Sequence, residues 1–280
     1  MTDRPSPLLV QLHAFATRRN VTLPVFSDVA RQLREASHAD TYDITALERA
    51  IDSDPALAAE VLRAANSAFF GGLSEAKTIR AAITRLGLKE VANLAFMATE
   101  KNRYTARQPQ IAAMMKVLWQ HASACAMASA WLAKRMRLTP LVEEVFIGGL
   151  LHDIGKLYLL RVLDEMIAEL PRYAEYPTSL LHEVLRHAHT AEGYELLKSW
   201  NLPAVYQVIV RDHHNDAPDP SNVPLLIVRL ANQACNKMGV GLHPETSVVL
   251  EATPEAAILG VSDVTLAELE IILEDILATA

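Results

Sequence analysis

The sequence predicts an all-α protein with two helical lobes. Prolines recur at 24, 55, 109, 140, 171, 177, 203, 224, 244 and 254, and between them apolar residues fall at spacings of three and four. That is the pattern of helices separated by proline-marked turns. No stretch alternates apolar and polar residues between turn dipeptides, so no strand or hairpin is assigned. The composition agrees: 280 residues, 51% hydrophobic and 21% charged, suit a globular chain able to bury a sizeable core.

A first lobe is expected over residues 8–108, built of short helices with many connections. Within it Asp54-Pro55 reads as a helix start, a capping carboxylate followed by proline at the first helical position. It opens the amphipathic run Ala56, Leu57, Val61, Leu62, Ala65, which Gly71-Gly72 terminates. A second lobe is expected over residues 109–240, with the boundary at Arg107-Gln108-Pro109 and one long helix from Gln110 to Met136. Another apolar helix ends at Leu150-Leu151-His152. Between Val223 and Asn236 the only charge is Arg229, so this helix reads as buried nearly all round. Residues 241–280 make a C-terminal extension. It has a loop around His243-Pro244 and a final amphipathic helix carrying Leu266, Leu269, Ile272, Leu273 and Ile276, and no chemistry is assigned to it.

Twenty-six basic against thirty-three acidic side chains give a formal charge of -7, which argues against broad attraction to nucleic acid or anionic lipid. The segment from Lys77 to Arg107 runs the other way, with seven basic and two acidic residues, and reads first as a solvated face. The longest run without Asp, Glu, Lys or Arg, Val117 to Ala133, is seventeen residues and contains polar side chains, too short for a membrane span. The N-terminus lacks a signal-peptide pattern and the two cysteines, Cys125 and Cys235, read as buried core thiols. A cytoplasmic protein is expected.

Chemistry concentrates in one stretch. Seven of the ten histidines (121, 152, 182, 187, 189, 213, 214) lie between 121 and 214, where an even spread would place about three. At its centre is Leu150-Leu151-His152-Asp153-Ile154-Gly155-Lys156. Adjacent imidazole and carboxylate suit a divalent transition metal, which can activate water or clamp phosphate oxygens, and Lys156 adds a positive charge one turn on.

The His-Asp-Ile-Gly-Lys string resembles the HD superfamily of metal-dependent phosphohydrolases. The resemblance maps the first metal ligand to His121 in Leu118-Trp119-Gln120-His121, makes His152 and Asp153 the central pair, and puts the final ligand in Leu225 to Ala234. There Asn232 stands where the pattern has Asp. His189 and the pair His213-His214 match positions that hold a second metal in some branches, although adjacent helical side chains point about 100° apart, so one of that pair is expected to reach the cleft. His182 and His187 read as surface residues. The long Gly-Tyr-Pro motif of the cyclic dinucleotide phosphodiesterase branch is not found after His213-His214.

The block from Ile51 through Asp54-Pro55 to Asn66-Ser67 and Gly71, with Ala82 to Gly87 and Leu23-Pro24, resembles the HDOD family, the HD-related output domain of bacterial signalling. The likeness covers roughly residues 20 to 240. It implies an all-helical regulatory module that acts by binding a signalling protein or a nucleotide or phosphate ligand, with no membrane and no nucleic-acid partner. Its metal site, His121, His152, Asp153, Asn232, His189, His213 and His214, is then expected to hold Fe, Mn, Zn or Mg weakly or not at all, because one carboxylate is missing. The alternative is a metal-dependent phosphohydrolase acting on a nucleotide or related phosphate, with Asp153 and Lys156 as its catalytic residues.

Overall fold

The computed structural model describes residues 6–23, 44–71 and 75–278, and among these every regular element is helical. Pro24 and Gly72, on which the sequence reading drew, lie outside the described residues. The chain divides into two compact units, residues 24–104 with 275–280, and residues 105–274 with 1–23.

The first unit contains α2 (Ile44–Asp52), α3 (Pro55–Ala65), α4 (Ile79–Leu86) and α5 (Leu88–Lys101). As the sequence predicts, Asp54 caps α3, its Oδ1 accepting from the amides of Ala56 and Leu57 at 2.9 and 3.2 Å. The buried face Leu57, Val61 and Ala65 packs with Leu47, Ile51 and Val91 into one apolar core. Asn66 explains why the motif carries a carboxamide at this position. Its Nδ2 donates to the carbonyl of Ala76 at 3.0 Å, and its Oδ1 accepts from the Ala76 amide at 2.8 Å. One side chain thus pairs with a backbone ten positions on, closing the bend at Gly71 as a strand partner would. Gly87, at φ 89°, joins α4 to α5 through the left-handed region open to glycine. The basic stretch is largely consumed at home: Arg80 pairs with Glu48, Arg103 with Glu100, Lys101 with Glu60, and Arg85 binds the Ala65 carbonyl and Asn66.

The second unit is organised around α6 (Pro109–Arg135), with α7 (Val142–Leu151), α8 (Ile154–Glu169), α9 (Thr178–Ser199), α10 (Ala204–Asp212) and α11 (Val223–Lys237). Glycines set its closest approaches. A Cβ on Gly149 would lie 2.9 Å from the Ala126 Cα, so α7 lies hard against α6. A Cβ on Gly155 would lie 1.9 Å from the His189 carbonyl oxygen, so only glycine lets α9 cross α8 there. Gly193 completes that crossing, its virtual Cβ 2.6 Å from Val210 and 3.1 Å from the Gly155 amide. The buried carboxylate of Asp164 on α8 accepts from the amides of Arg107 and Gln108 at 2.9 to 3.1 Å and so caps the start of α6.

The expected first lobe, 8–108, differs from the observed grouping at its N-terminal end. Helix α1 (Pro7–Arg19) belongs with the second unit, because its apolar face, Leu8 and Leu12, is completed by Leu160 and Leu163 of α8 and Leu181 and Leu185 of α9. Trp200 Nε1 donates to the Leu23 carbonyl at 3.2 Å and fixes the end of that segment. The extension expected over 241–280 likewise contributes to this unit. After the short α12 (Pro254–Leu259), α13 (Asp263–Leu277) buries Leu266, Leu269 and Leu273, and ion pairs Arg135–Glu268 and Lys237–Glu270 tie it to α6 and α11.

Candidate metal centre

Two helices and three helix ends converge on the Asp153 carboxylate. His121 comes from the middle of α6, His152 ends α7, and Asp153 is the residue before α8. The Asp153 side chain makes no capping bond to α8, which leaves it turned inward. His189 comes from α9 at the glycine crossing, and His213 and His214 follow the last residue of α10. His121, His152, Asp153, His189 and His213 are all buried, whereas His214 is exposed.

Backbone carbonyls orient the four buried imidazoles. Each Nδ1–H donates to a carbonyl: His121 to Val240 at 2.9 Å, His152 to Gly149 at 2.7 Å, His189 to Leu185 at 2.8 Å and His213 to Val210 at 3.0 Å. That fixes the tautomer and turns every Nε2 lone pair inward. The inward atoms meet in pairs, His121 with His152 at 3.1 Å and His189 with His213 at 3.2 Å. Two lone pairs so close repel unless a cation or proton lies between them. The Asp153 carboxylate spans both pairs: Oδ2 is 3.7 and 3.6 Å from His121 and His152, and Oδ1 is 3.4 and 3.5 Å from His189 and His213.

Burial pushes the Asp153 carboxyl up, but the Lys156 ammonium and the surrounding imidazoles outweigh it and hold it well below the usual carboxylate range. Burial first, then the neighbouring His152, pushes His121 down to about 3, and burial also lowers His189 well below the usual imidazole value. At neutral pH these groups are therefore an anion and neutral nitrogen donors, the protonation states a divalent metal requires. Asp153 Oδ1, buried and without a hydrogen-bond partner among the described residues, is an atom such an ion would satisfy. The donor set fits a divalent transition metal: His121, His152 and Asp153 form one ligand group, and Asp153, His189, His213 and His214 form another.

Several expectations change on contact with this geometry. Both His213 and His214 line the cavity and belong to one donor group with Asp153 and His189, where one of the pair is expected from the sequence. Lys156 is not free: its Nζ donates to Asp153 Oδ2 at 2.7 Å. Asn232 lines the same cavity, and its Oδ1 accepts from Asn236 Nδ2 at 3.2 Å. His187 is exposed as expected yet lines the cavity, and His182 is half-buried with its ring against His243. The extension also contributes chemistry. Val240 orients His121, a Cβ on Gly241 would lie 3.2 Å from that ring's Nδ1, and Leu242, His243 and Glu245 form a wall. Only the glycine pair at 239 and 241, at φ 78° and 139°, hinted at this tight passage in the sequence. Arg229 is a further residue with a structural task. Buried, it binds Glu255 at 2.5 Å and the carbonyls of Asp212 and His213 at 3.1 and 2.9 Å, which places the His213-His214 turn. Cys125 and Cys235 are buried as expected, and burial pushes the Cys125 thiol far up, which leaves it unreactive.

The cluster sits at the floor of an open cavity of about 1060 Å³, whose walls add Arg186, His187 and His243. No described helix is long and apolar enough to cross a membrane.

Comparison with solved structures gives the same helical architecture. An HDOD domain protein of unknown function from Geobacter sulfurreducens superposes with a TM-score of 0.73 over 97% of each chain at 21% identity. A proposed metal-dependent phosphohydrolase from Shewanella amazonensis SB2B gives 0.71 over 97% of each chain at 19% identity. A proposed signal transduction protein from Marinobacter aquaeolei VT8 gives 0.63, covering 99% of this chain and 61% of that one at 24% identity. At these identities the likeness is one of fold. Among curated proteins, an uncharacterized protein of Treponema pallidum (strain Nichols) is 29% identical over 193 residues, 68% of this chain. The chain spans 36% of that relative's length. The family model of the HDOD domain matches residues 23–216, a span that includes the Asn66 staple, the Asp153 cluster and both glycine crossings, and the chain belongs to the HDOD domain family.

Proposed function

We propose that this chain is a signalling module that acts by binding, and that the Asp153 cluster is a metal-dependent ligand site with little or no turnover. The observation that carries this reading is the Lys156–Asp153 ion pair at 2.7 Å. The cation that a hydrolase would aim at a phosphate is held instead on the central carboxylate, and Asn232 supplies no second carboxylate. When bound, a divalent ion would supply Lewis acidity and a docking point for phosphate oxygens. Asp153 and the imidazoles around it would hold it, while Arg186 on the wall adds positive charge for an anionic ligand. A ligand in the cavity touches both α9 and the 240–245 loop, and its presence would be read by a signalling protein partner on that surface. The name of the Marinobacter neighbour, a proposed signal transduction protein, agrees with this reading.

A second reading, a metal-dependent phosphohydrolase acting on a nucleotide or related phosphate, is favoured by the intact His121, His152, Asp153 set at the floor of a cavity of about 1060 Å³. One experiment separates the two. Nucleotides and cyclic dinucleotides are screened for thermal stabilisation and for phosphate release, with added Mn or Mg, on wild type and on Asp153→Asn. Stabilisation without release supports the binding module. Release that disappears in Asp153→Asn makes the protein a hydrolase.

A further inference from the structure

The two oxygens of Asp153 are not equivalent. Oδ2, facing His121 and His152, already receives the Lys156 ammonium at 2.7 Å. The family pattern's last carboxylate is replaced by Asn232, which lines the cavity and whose Oδ1 is engaged by Asn236. The chain therefore supplies its own cation to Oδ2 and no carboxylate at position 232. Oδ1 is the opposite case. Asp153 is 3% exposed, and its Oδ1 has no hydrogen-bond partner among the described residues, although His189 and His213 face it at 3.4 and 3.5 Å. A third imidazole belongs to this side alone: His214 packs on His213 with ring centroids 4.2 Å apart, and its ligand nitrogen lies within 4.8 Å of the others.

We propose that the chain holds a single metal ion on the Oδ1 side, among His189, His213, His214 and Asp153, and that Lys156 takes the place of a second ion on the Oδ2 side. The proposal rests on the metal-centre reading and adds which half of the centre is used. It also moves the metal away from the His-Asp motif's own first ligand, His121. Charge decides between the halves. One carboxylate cannot neutralise an ammonium and two dications within one buried cluster, and the ammonium is covalently part of the chain. Three imidazole nitrogens and one carboxylate oxygen are the donors of a four-coordinate zinc, iron or cobalt site and are too rich in nitrogen for magnesium or calcium. Gly155 has a part in this selection, since its missing side chain is what brings His189 to the carboxylate.

Cobalt(II) serves as the probe because its visible spectrum reports coordination and its absorption edge locates it. The chelator-treated full chain is titrated with cobalt(II), and crystals of the same complex are measured above and below the cobalt edge. One equivalent is expected, with a single anomalous peak beside His189 and His213. His214→Ala, a change at an exposed position, is expected to weaken binding at least about tenfold, whereas His121→Gln changes it less than about threefold. Lys156→Met is expected to admit a second equivalent on the Oδ2 side. A peak between His121 and His152, or two equivalents in the wild type, overturns the proposal and leaves the metal centre standing. No cobalt or zinc bound at millimolar concentration overturns the metal centre itself.

Discussion

The helix caps of residues 44–104 and the Asp153 cluster use polar side chains in opposite ways. In residues 24–104, Asp54, Asn66 and Thr78 each satisfy the backbone of their own neighbourhood: a helix start, a bend and another helix start. Around Asp153 the backbone satisfies the side chains. Carbonyls of Gly149, Leu185, Val210 and Val240 are spent on holding imidazoles whose other nitrogens face a carboxylate. The first arrangement builds a fold. The second leaves lone pairs facing one another at 3.1 and 3.2 Å and an orphaned carboxylate oxygen, a local cost that a bound cation relieves. Where polar atoms point inward with nothing to receive them, the chain has been shaped for something besides stability.

The comparison can be broken most severely at Gly155. Alanine there would place its Cβ 1.9 Å from a backbone carbonyl that cannot swing aside, so Gly155→Ala should cost about 3 kcal/mol or more and abolish metal binding together with the α8–α9 crossing. Urea unfolding followed at both units checks it. Asp153→Asn should weaken transition-metal binding about a hundredfold or more, measured by competition with a chromophoric chelator. Asn66→Ala should cost about 1 to 3 kcal/mol through the two bonds to Ala76, while metal affinity stays unchanged. Any loss of metal there would show that the two kinds of polar site are not independent. Asn232→Asp should tighten metal binding about tenfold by adding a carboxylate to the cavity wall, with phosphate release still near background. An unchanged affinity would mean that residue 232 does not reach the ion. Asp54→Ala, which removes one helix cap, should cost about 1 kcal/mol and nothing else.

The fold class was legible because its signals are local. Asp54-Pro55 caps a helix by its own chemistry, and the apolar period from Ile111 onward marks a helix whatever it packs against. The residues of the cluster were legible by resemblance, since His152-Asp153 and His213-His214 are adjacent pairs. The rest depends on contacts between distant segments. Nothing near α1 announces that Leu8 and Leu12 belong with α8 and α9, about 150 residues further on. Similarly, the Val240 carbonyl becomes a partner of His121 only when a loop 119 positions away folds over it. The one-turn spacing of Lys156 from His152 is visible in the sequence, whereas its ion pair with Asp153, three residues away, depends on how the α7–α8 junction turns.

The claim that Asp153 and its imidazoles form a metal centre is tested most directly by elemental analysis of the full chain, purified without chelator and dialysed against metal-free buffer. About one equivalent of zinc, iron or another transition metal is expected in the wild type and almost none in Asp153→Asn, with far-ultraviolet circular dichroism unchanged between them. A wild type that carries no metal, and takes up none from a tenfold excess of zinc or cobalt, would contradict the account.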